Sequence, residues 1–328
     1  MRFSAHRLLT SLVLALVGMG ATASALAQAD WPIRPIRLIV PYPPGGTSDN
    51  LGRLVAERLG HKLHASVVVD NRPGGTTQIG TEQAFRAPPD GYTVLLGAVT
   101  AFTVLPNLRR NLPYDARDGF EPLGGVAEYL SVVTVRKDLG VQTLAELIKL
   151  AKTQPGKLTY GSAGLASFGH IAGEIVQRET GIKMLHVPYK GSADAANALA
   201  AGQVDVLIDG AIVPLAKAGR VVPLAAFGAV RHPELPQVPS LAEAQLNVKR
   251  PTGPGWGLFT PKGTPVAINQ KLSKALEDLL AEPETQARLQ RISTVADWRT
   301  PADLRKAIEG DRRFYAELLP AVGIQPTD

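Results

Sequence analysis

The chain has 328 residues, with 35 Lys+Arg against 29 Asp+Glu, 32 glycines, 26 prolines and no cysteine. At 45% apolar and 20% charged residues it can bury cores for about two domains, which excludes a largely disordered chain. The missing thiols exclude a cysteine nucleophile, a disulfide framework, an iron–sulfur cluster and thiolate-held zinc. A 5% aromatic content argues against a base-stacking nucleic-acid platform.

Arg2, His6 and Arg7 precede a stretch from Leu8 to Gly20 that is apolar or small apart from Thr10 and Ser11, followed by Ala25-Leu26-Ala27. A basic start, an apolar centre and small residues at −3 and −1 form the layout of a secretory signal peptide cleaved after Ala27. The apolar run falls short of the roughly 20 residues that span a bilayer. Residues 28–328 then carry 33 basic against 29 acidic side chains, a charge of +4 with no dense Lys/Arg run for nucleic acid. An exported, periplasmic chain is expected.

Ile36–Val40 reads as a strand stopped by Pro41-Tyr42-Pro43-Pro44-Gly45-Gly46. Leu51, Leu54, Val55 and Leu59 then mark one face of a helix, capped by Thr47 or Ser48 and ended by Gly60. Ser66–Val69 and Tyr92–Leu96 read as strands flanking a helix at Thr77–Phe85, so the first series alternates strand and helix around a mostly parallel sheet. A second series begins with the strand Leu130–Val135 and a capping box at Thr143 and Glu146. It continues with strands Lys157–Tyr160, Met184–Val187, Val204–Ile208 and Val222–Ala226, a helix capped by Ser167, and a helix Ser192–Ala201 closed by Gly202. Thr264-Pro265 and Thr300-Pro301 each place a cap before an N1 proline and open two C-terminal helices. Two such series imply two lobes with a cleft between them, and ligands of open α/β sheets bind beyond the carboxyl ends of the strands.

Two strand-to-helix loops stand out, Pro41–Asp49 and Gly161–Ser167. Both offer backbone N–H groups at a helix N-terminus, which suits a carboxylate or phosphate. The first lacks both the GxxxxGK[ST] and the GxGxxG pattern. Ser167 and His170 are neighbours on one helical turn, but the serine reads as a cap, no GxSxG elbow is present and no acidic residue is placed to orient the histidine. No metal-ligand spacing occurs, so neither a catalytic group nor a cofactor is expected.

The chain resembles the Bug-type solute receptors, the extracytoplasmic binding proteins of tripartite tricarboxylate transporters. The resemblance rests on Trp31-Pro-Ile-Arg-Pro-Ile-Arg-Leu-Ile-Val-Pro-Tyr-Pro-Pro-Gly-Gly46 with Asp49, Val69-Asp-Asn-Arg-Pro-Gly74, Ile79-Gly80 and Pro89-Asp-Gly-Tyr-Thr93. It continues through Leu112-Pro-Tyr-Asp115, Pro155-Gly-Lys-Leu158, His170 with Gly173-Glu174, His186-Val-Pro-Tyr-Lys-Gly191, Gly202-Gln-Val-Asp205 and Pro261-Lys-Gly-Thr-Pro265. It implies an α/β, two-lobed periplasmic-binding-protein fold of the Venus-flytrap kind (type II) with two crossover segments. One lobe would take 28–125 plus 251–328 and the other 126–250. It also implies capture of a small organic carboxylate, often through two bridging waters, for a membrane permease of one large and one small subunit.

Carried over residue by residue, the resemblance assigns ligand contacts to Tyr42, Pro44, Gly45, Gly46, Thr47 and Asp49 in the first lobe. In the second lobe it assigns Ser162, Ala163, Gly164 and Ser167, with His170 behind them. Thr100, Ala101 and Asp209 are further expected contacts, and Gln78 stands where an asparagine is common. Leu165-Ala166 and Phe168-Gly169 depart from the family's more polar pattern, which favours a carboxylate with an apolar or aromatic body. A monomer is expected, with no nucleic-acid partner. A periplasmic sensor that signals to a membrane receptor and, further off, a periplasmic hydrolase are the rival functions.

Overall fold

The computed structural model describes residues 31–228, 231–246, 248 and 255–326. The expected signal peptide and the second crossover near 250 fall outside the described residues. Ile36–Val40 forms β1, whose Leu38 and Val40 join one buried cluster while Ile39 joins another, the two-residue period of a strand covered on both faces. Helix α1 (Thr47–Leu63) lays Leu51, Leu54, Val55 and Leu59 on the first of these faces. Each such side chain, fully buried, contributes about 1.5–3 kcal/mol. The helix passes through Gly60, which the sequence marks as its end, to His64 in the left-handed region. A Cβ at Gly60 would lie 2.8 Å from the Ala65 carbonyl oxygen, so this glycine serves the returning chain as well as the helix.

β2 (Val67–Asn71), α2 (Gln78–Phe85) and β3 (Thr93–Ala98) complete the first series, with β1 parallel to both β2 and β3. Short helices α3 (Thr100–Thr103) and α4 (Leu105–Leu108) lead to β4 (Phe120–Tyr129). The second series comprises β5 (Val132–Arg136), α5 (Leu144–Thr153), β6 (Thr159–Ser162), α6 (Phe168–Thr180), β7 (Leu185–Pro188), α7 (Ser192–Ala200), β8 (Val206–Asp209), α8 (Val213–Lys217) and β9 (Val221–Ala226). After it come β10 (Trp256–Pro261), α9 (Val266–Leu280), α10 (Pro283–Arg291), β11 (Thr294–Arg299) and α11 (Pro301–Ala321).

The first sheet has the order β11-β4-β10-β3-β1-β2 and the second β7-β6-β8-β5-β9. Both are mixed. β10 runs antiparallel to β3 and β4, β11 antiparallel to β4, and β5 antiparallel to β8 and β9. The mostly parallel sheet read from the alternation therefore holds only where helices intervene, at β2-β1-β3 and β7-β6-β8. The chain leaves the first sheet after Tyr129, so β4 extends past the 125/126 division taken from the sequence. Near its end α11 contributes Tyr315, Leu318 and Leu319 to the cluster of Val133, Val206 and Leu224 and so ties the C-terminal helix to the second sheet.

Helix starts follow the sequence unevenly. Thr143 Oγ1 accepts the Glu146 N–H and Thr300 Oγ1 that of Asp303, each at 3.2 Å. Thr264 is not a cap: its hydroxyl donates to the Pro261 carbonyl, and Pro265 occupies the cap position.

Candidate functional site

A cavity of about 100 Å³ lies between the two sheets, where helix N-termini from both converge. One water-sized occupant needs roughly 10–15 Å³ on this measure, so the space suits several waters or a small organic molecule. The first sheet's side supplies Tyr42, Thr47, Ser48, Thr100 and Trp256, and the second supplies Ala163, Ser167, Phe168, Ser192 and Asp209. The two sides are close. A Cβ built on Gly191 would sit 3.5 Å from Pro43, and one on Gly46 would sit 4.0 Å from Ser192.

The donors follow from helix geometry. The first intrahelical bonds are Asn50 N–H to Gly46 O in α1 and Ile171 N–H to Ser167 O in α6. The N–H groups of Thr47 and Ser48, and of Phe168 and Gly169, precede them, and these residues line the cavity. Two hydroxyls add to these donors. Ser167 Oγ is buried and has no hydrogen-bond partner, and Thr100 Oγ1 is buried with the Tyr42 hydroxyl as its neighbour and no bond of ordinary geometry. Ser167 thus occupies the N-cap position of α6 without making the cap bond that the sequence suggests. No lysine or arginine is among the described lining residues, whereas Glu128, Asp209 and Asp311 are. Burial raises the pKa of Asp209, which accepts from the Tyr129 hydroxyl, from Ser192 Oγ at 2.8 Å and from Ala211 N–H at 2.8 Å. Burial also pushes the Tyr42 phenol up to about 12, so Tyr42 presents a neutral O–H.

The apolar wall is aromatic. Tyr129 meets Phe168 edge-on with centroids 5.3 Å apart and Trp256 at 5.4 Å, and Trp256 Nε1–H donates to Ser48 Oγ at 3.1 Å. The sequence did not mark Tyr129, Trp256, Ser192, Asp311 or Tyr315 for the site; no motif distinguishes them from core residues. Phe168 it marked only as an apolar replacement.

Of the residues expected at the site, Tyr42, Thr47, Thr100, Ala163, Ser167 and Asp209 line this cavity. Pro44 and Gly46 line an adjoining recess of about 40 Å³ with Ser192. The others lie elsewhere. Asp49 faces inward as a brace, accepting from Gly45 N–H at 2.9 Å, Arg53 Nε at 3.0 Å and Asn71 Nδ2 at 3.0 Å. These bonds hold its carboxyl below its ordinary pKa against the effect of burial and occupy the N–H that Gly45 would offer a ligand. Ala101 is fully buried, its carbonyl accepting from the Tyr114 hydroxyl. Gln78, at the start of α2, lines neither the cavity nor the recess.

Ser162, Gly164 and His170 form the back of the second loop. Ser162 Oγ lies 2.7 Å from His186 Nε2, accepts the Gly164 N–H at 3.1 Å and is 2.9 Å from the Gly164 carbonyl. The hydroxyl has one proton, which the carbonyl needs, so His186 Nε2–H donates to Ser162. His170 Nδ1 accepts the Ala166 N–H at 3.0 Å, and its ring stacks on His186 with centroids 4.0 Å apart. Burial and the neighbouring His186 lower its pKa to about 3, and burial lowers that of His186 to about 4. His170 Nδ1 is so engaged and does not serve Ser167 as a base.

Two packed α/β lobes with helix N-termini facing a cavity between them define a periplasmic-binding-protein fold. Residues 51–307 match the tripartite tricarboxylate transporter family receptor, and the chain belongs to that family of periplasmic solute-binding proteins. It is 32% identical over 276 residues to the protein BugT of Bordetella pertussis, covering 81% of this chain and 84% of BugT. An R. palustris protein solved with adipate superposes with a TM-score of 0.85 at 33% identity, over 91% of this chain and all of that one. MatC from Rhodopseudomonas palustris, solved with bound malate, gives 0.79 at 25% identity, over 88% and 100%.

Proposed function

We propose that the protein captures a small organic carboxylate between its lobes and delivers it to a membrane permease of one large and one small subunit. The first lobe takes the chain to the end of β4 at Tyr129 together with 251–328, its last helix reaching across to the second sheet. The second lobe takes the chain from there to 250, and closure about the crossovers buries the ligand. Residues 1–27 direct export to the periplasm and are removed. The carrying observation is a pair of buried hydroxyls on the walls of one cavity, Ser167 from one lobe without a partner and Thr100 from the other with only the Tyr42 hydroxyl beside it. An unpaired buried polar group costs about 1–3 kcal/mol, so an acceptor bonded to both hydroxyls, directly or through water, would stabilise the closed form.

A carboxylate fits those donors and the N–H groups at the starts of α1 and α6, whose dipoles offset its charge in the absence of a cation. The aromatic wall of Tyr129, Phe168 and Trp256 favours a ligand with an apolar body, and the adipate and malate complexes of relatives support the carboxylate class. The protein binds and releases its ligand without turnover, the role of the solute-binding family to which it belongs. Calorimetry of the mature protein against a panel including adipate, malate and benzoate should give saturable binding by at least one carboxylate. Silence from all of them, with tight binding of a sugar or a cation, would overturn the reading.

A further inference from the structure

A second cavity, of about 120 Å³, sits where the chain passes from β4 to β5. Its walls come from both sheets. Glu128, Tyr129 and Val295 belong to the first, Phe227 follows β9 of the second, and Ser131 lies in the crossing itself. Two of its lining side chains are buried with polar atoms that make no hydrogen bond, Ser131 Oγ and His232 Nε2, in residues 2% and 1% exposed.

The chemistry of the histidine is fixed by its other nitrogen. Nδ1 accepts the Glu234 N–H at 3.1 Å and so carries the lone pair. Burial lowers the ring's pKa, so the imidazole is neutral and Nε2 bears the proton. The residues around the cavity therefore include a fixed N–H donor and a rotatable hydroxyl, both desolvated, beside the apolar surfaces of Phe227 and Val295 and the charged Glu128 and Arg231. Buried polar groups are nearly always paired, and this space is large enough for more than a single water.

We propose that this is a second small-molecule site at the lobe crossing, taking a compound of acetate or acetamide size through a carbonyl-type oxygen bonded to Ser131 and His232. It is separate from the ligand cleft and does not depend on which solute the cleft binds. Tyr129 and Glu128 line both spaces, so an occupant here lies against the wall that the cleft ligand also touches.

The test is histidine nitrogen NMR on the mature full-length protein, titrated separately with sodium acetate and acetamide. A saturable shift of His232 Nε2 with either probe is expected, and the more effective one identifies a charged or a neutral acceptor. Ser131→Ala should weaken that binding about tenfold with the fold kept, and Thr100→Ala, in the cleft, should leave the His232 shift unchanged. A crystal soaked in the effective probe should show density bridging Ser131 Oγ and His232 Nε2, a reading that stands even if Ser131→Ala fails to fold. No saturable shift, an equal shift in folded Ser131→Ala, loss of the shift in Thr100→Ala, or water alone in the soaked cavity would each overturn the proposal.

Discussion

Between β1 and α1 the loop 41–49 is held by an ionised carboxylate, whereas between β6 and α6 the loop 162–167 is held by neutral imidazoles. Asp49 gathers a glycine N–H, a guanidinium and an amide, and these three donors favour its charged form. His170 accepts one backbone N–H through a bare Nδ1, and it must be uncharged to do so. Both devices leave the following helix N-terminus open to the cavity without placing a cation there. A cation at the loop would hold an anion strongly and slow its release; helix dipoles and hydroxyls give moderate, directional attraction suited to a carrier. The opposite protonation states also separate the loops experimentally, because each should fail in a different pH range.

The strongest way to break the comparison is at the first loop's open N-terminus. Gly46→Asp has room, with Ser192 Cβ no nearer than 4.0 Å, and aspartate is a favoured N-cap. It should retain or raise the melting temperature, yet fill the α1 donors and repel a carboxylate, weakening binding by about a hundredfold or more in calorimetry. Retained affinity would take α1 out of the site. Next in size is Asp49→Ala, which leaves the Gly45 N–H without its acceptor and Asn71 Nδ2 with the Tyr42 carbonyl alone. We expect about 2–3 kcal/mol of lost stability in urea unfolding, with Asp49→Asn intermediate.

The hydroxyls come third. Thr100→Ala and Ser167→Ala should each lower affinity about tenfold, with thermal stability unchanged or slightly higher, since Ser167 makes no hydrogen bond and Thr100 none of ordinary geometry. A clear drop in melting temperature would instead assign them a structural role.

The smallest effect is the pH response of the second loop. The unfolded chain takes up protons on His170 near the usual 6.5, but the folded chain does so only near 3. Between those values the unfolded state binds more protons, so stability is complete above about 6.5 and falls with decreasing pH, by on the order of 1 kcal/mol over the first pH unit. His170→Gln should reduce this slope and leave the share of His186, whose pKa burial lowers to about 4. Asp49, its pKa depressed, should contribute fully above the ordinary carboxylate range and be lost only below it. Amide exchange would sharpen the contrast, with the 162–167 loop loosening at a higher pH than the 41–49 loop.

Much of the frame was legible because its signals are local. The apolar run 36–40, the spacing of Leu51, Leu54, Val55 and Leu59, and the capping box at Thr143 each depend on neighbours within a few residues, and each appears where the pattern places it. β4, β10 and β11 were not read. Their segments carry glycine, proline and tryptophan instead of a clean alternation, and they become strands by pairing with distant partners, as Leu258 does with Leu96 and Gly124. The site divided in the same way. Tyr42, Thr47, Thr100, Ser167 and Asp209 belong to strand-to-helix loops or a strand end that point to the cleft from sequence. Asp49 and His170 sit in the same motifs but turn inward, because Gly45, Arg53 and Asn71 capture one and Ala166 the other.

By itself the sequence determined the strand–helix units, the two glycine-bearing loops and, through the order of its motifs, the receptor family, since all of these are written in contiguous residues. The tertiary structure decided which members of those loops face the cavity and which brace it. It also decided how Tyr129, Phe168 and Trp256 meet as one wall and why Ser167 keeps a free hydroxyl. Those outcomes depend on which donors and acceptors come within about 3 Å after the two sheets pack, a distance that spacing along the chain does not specify.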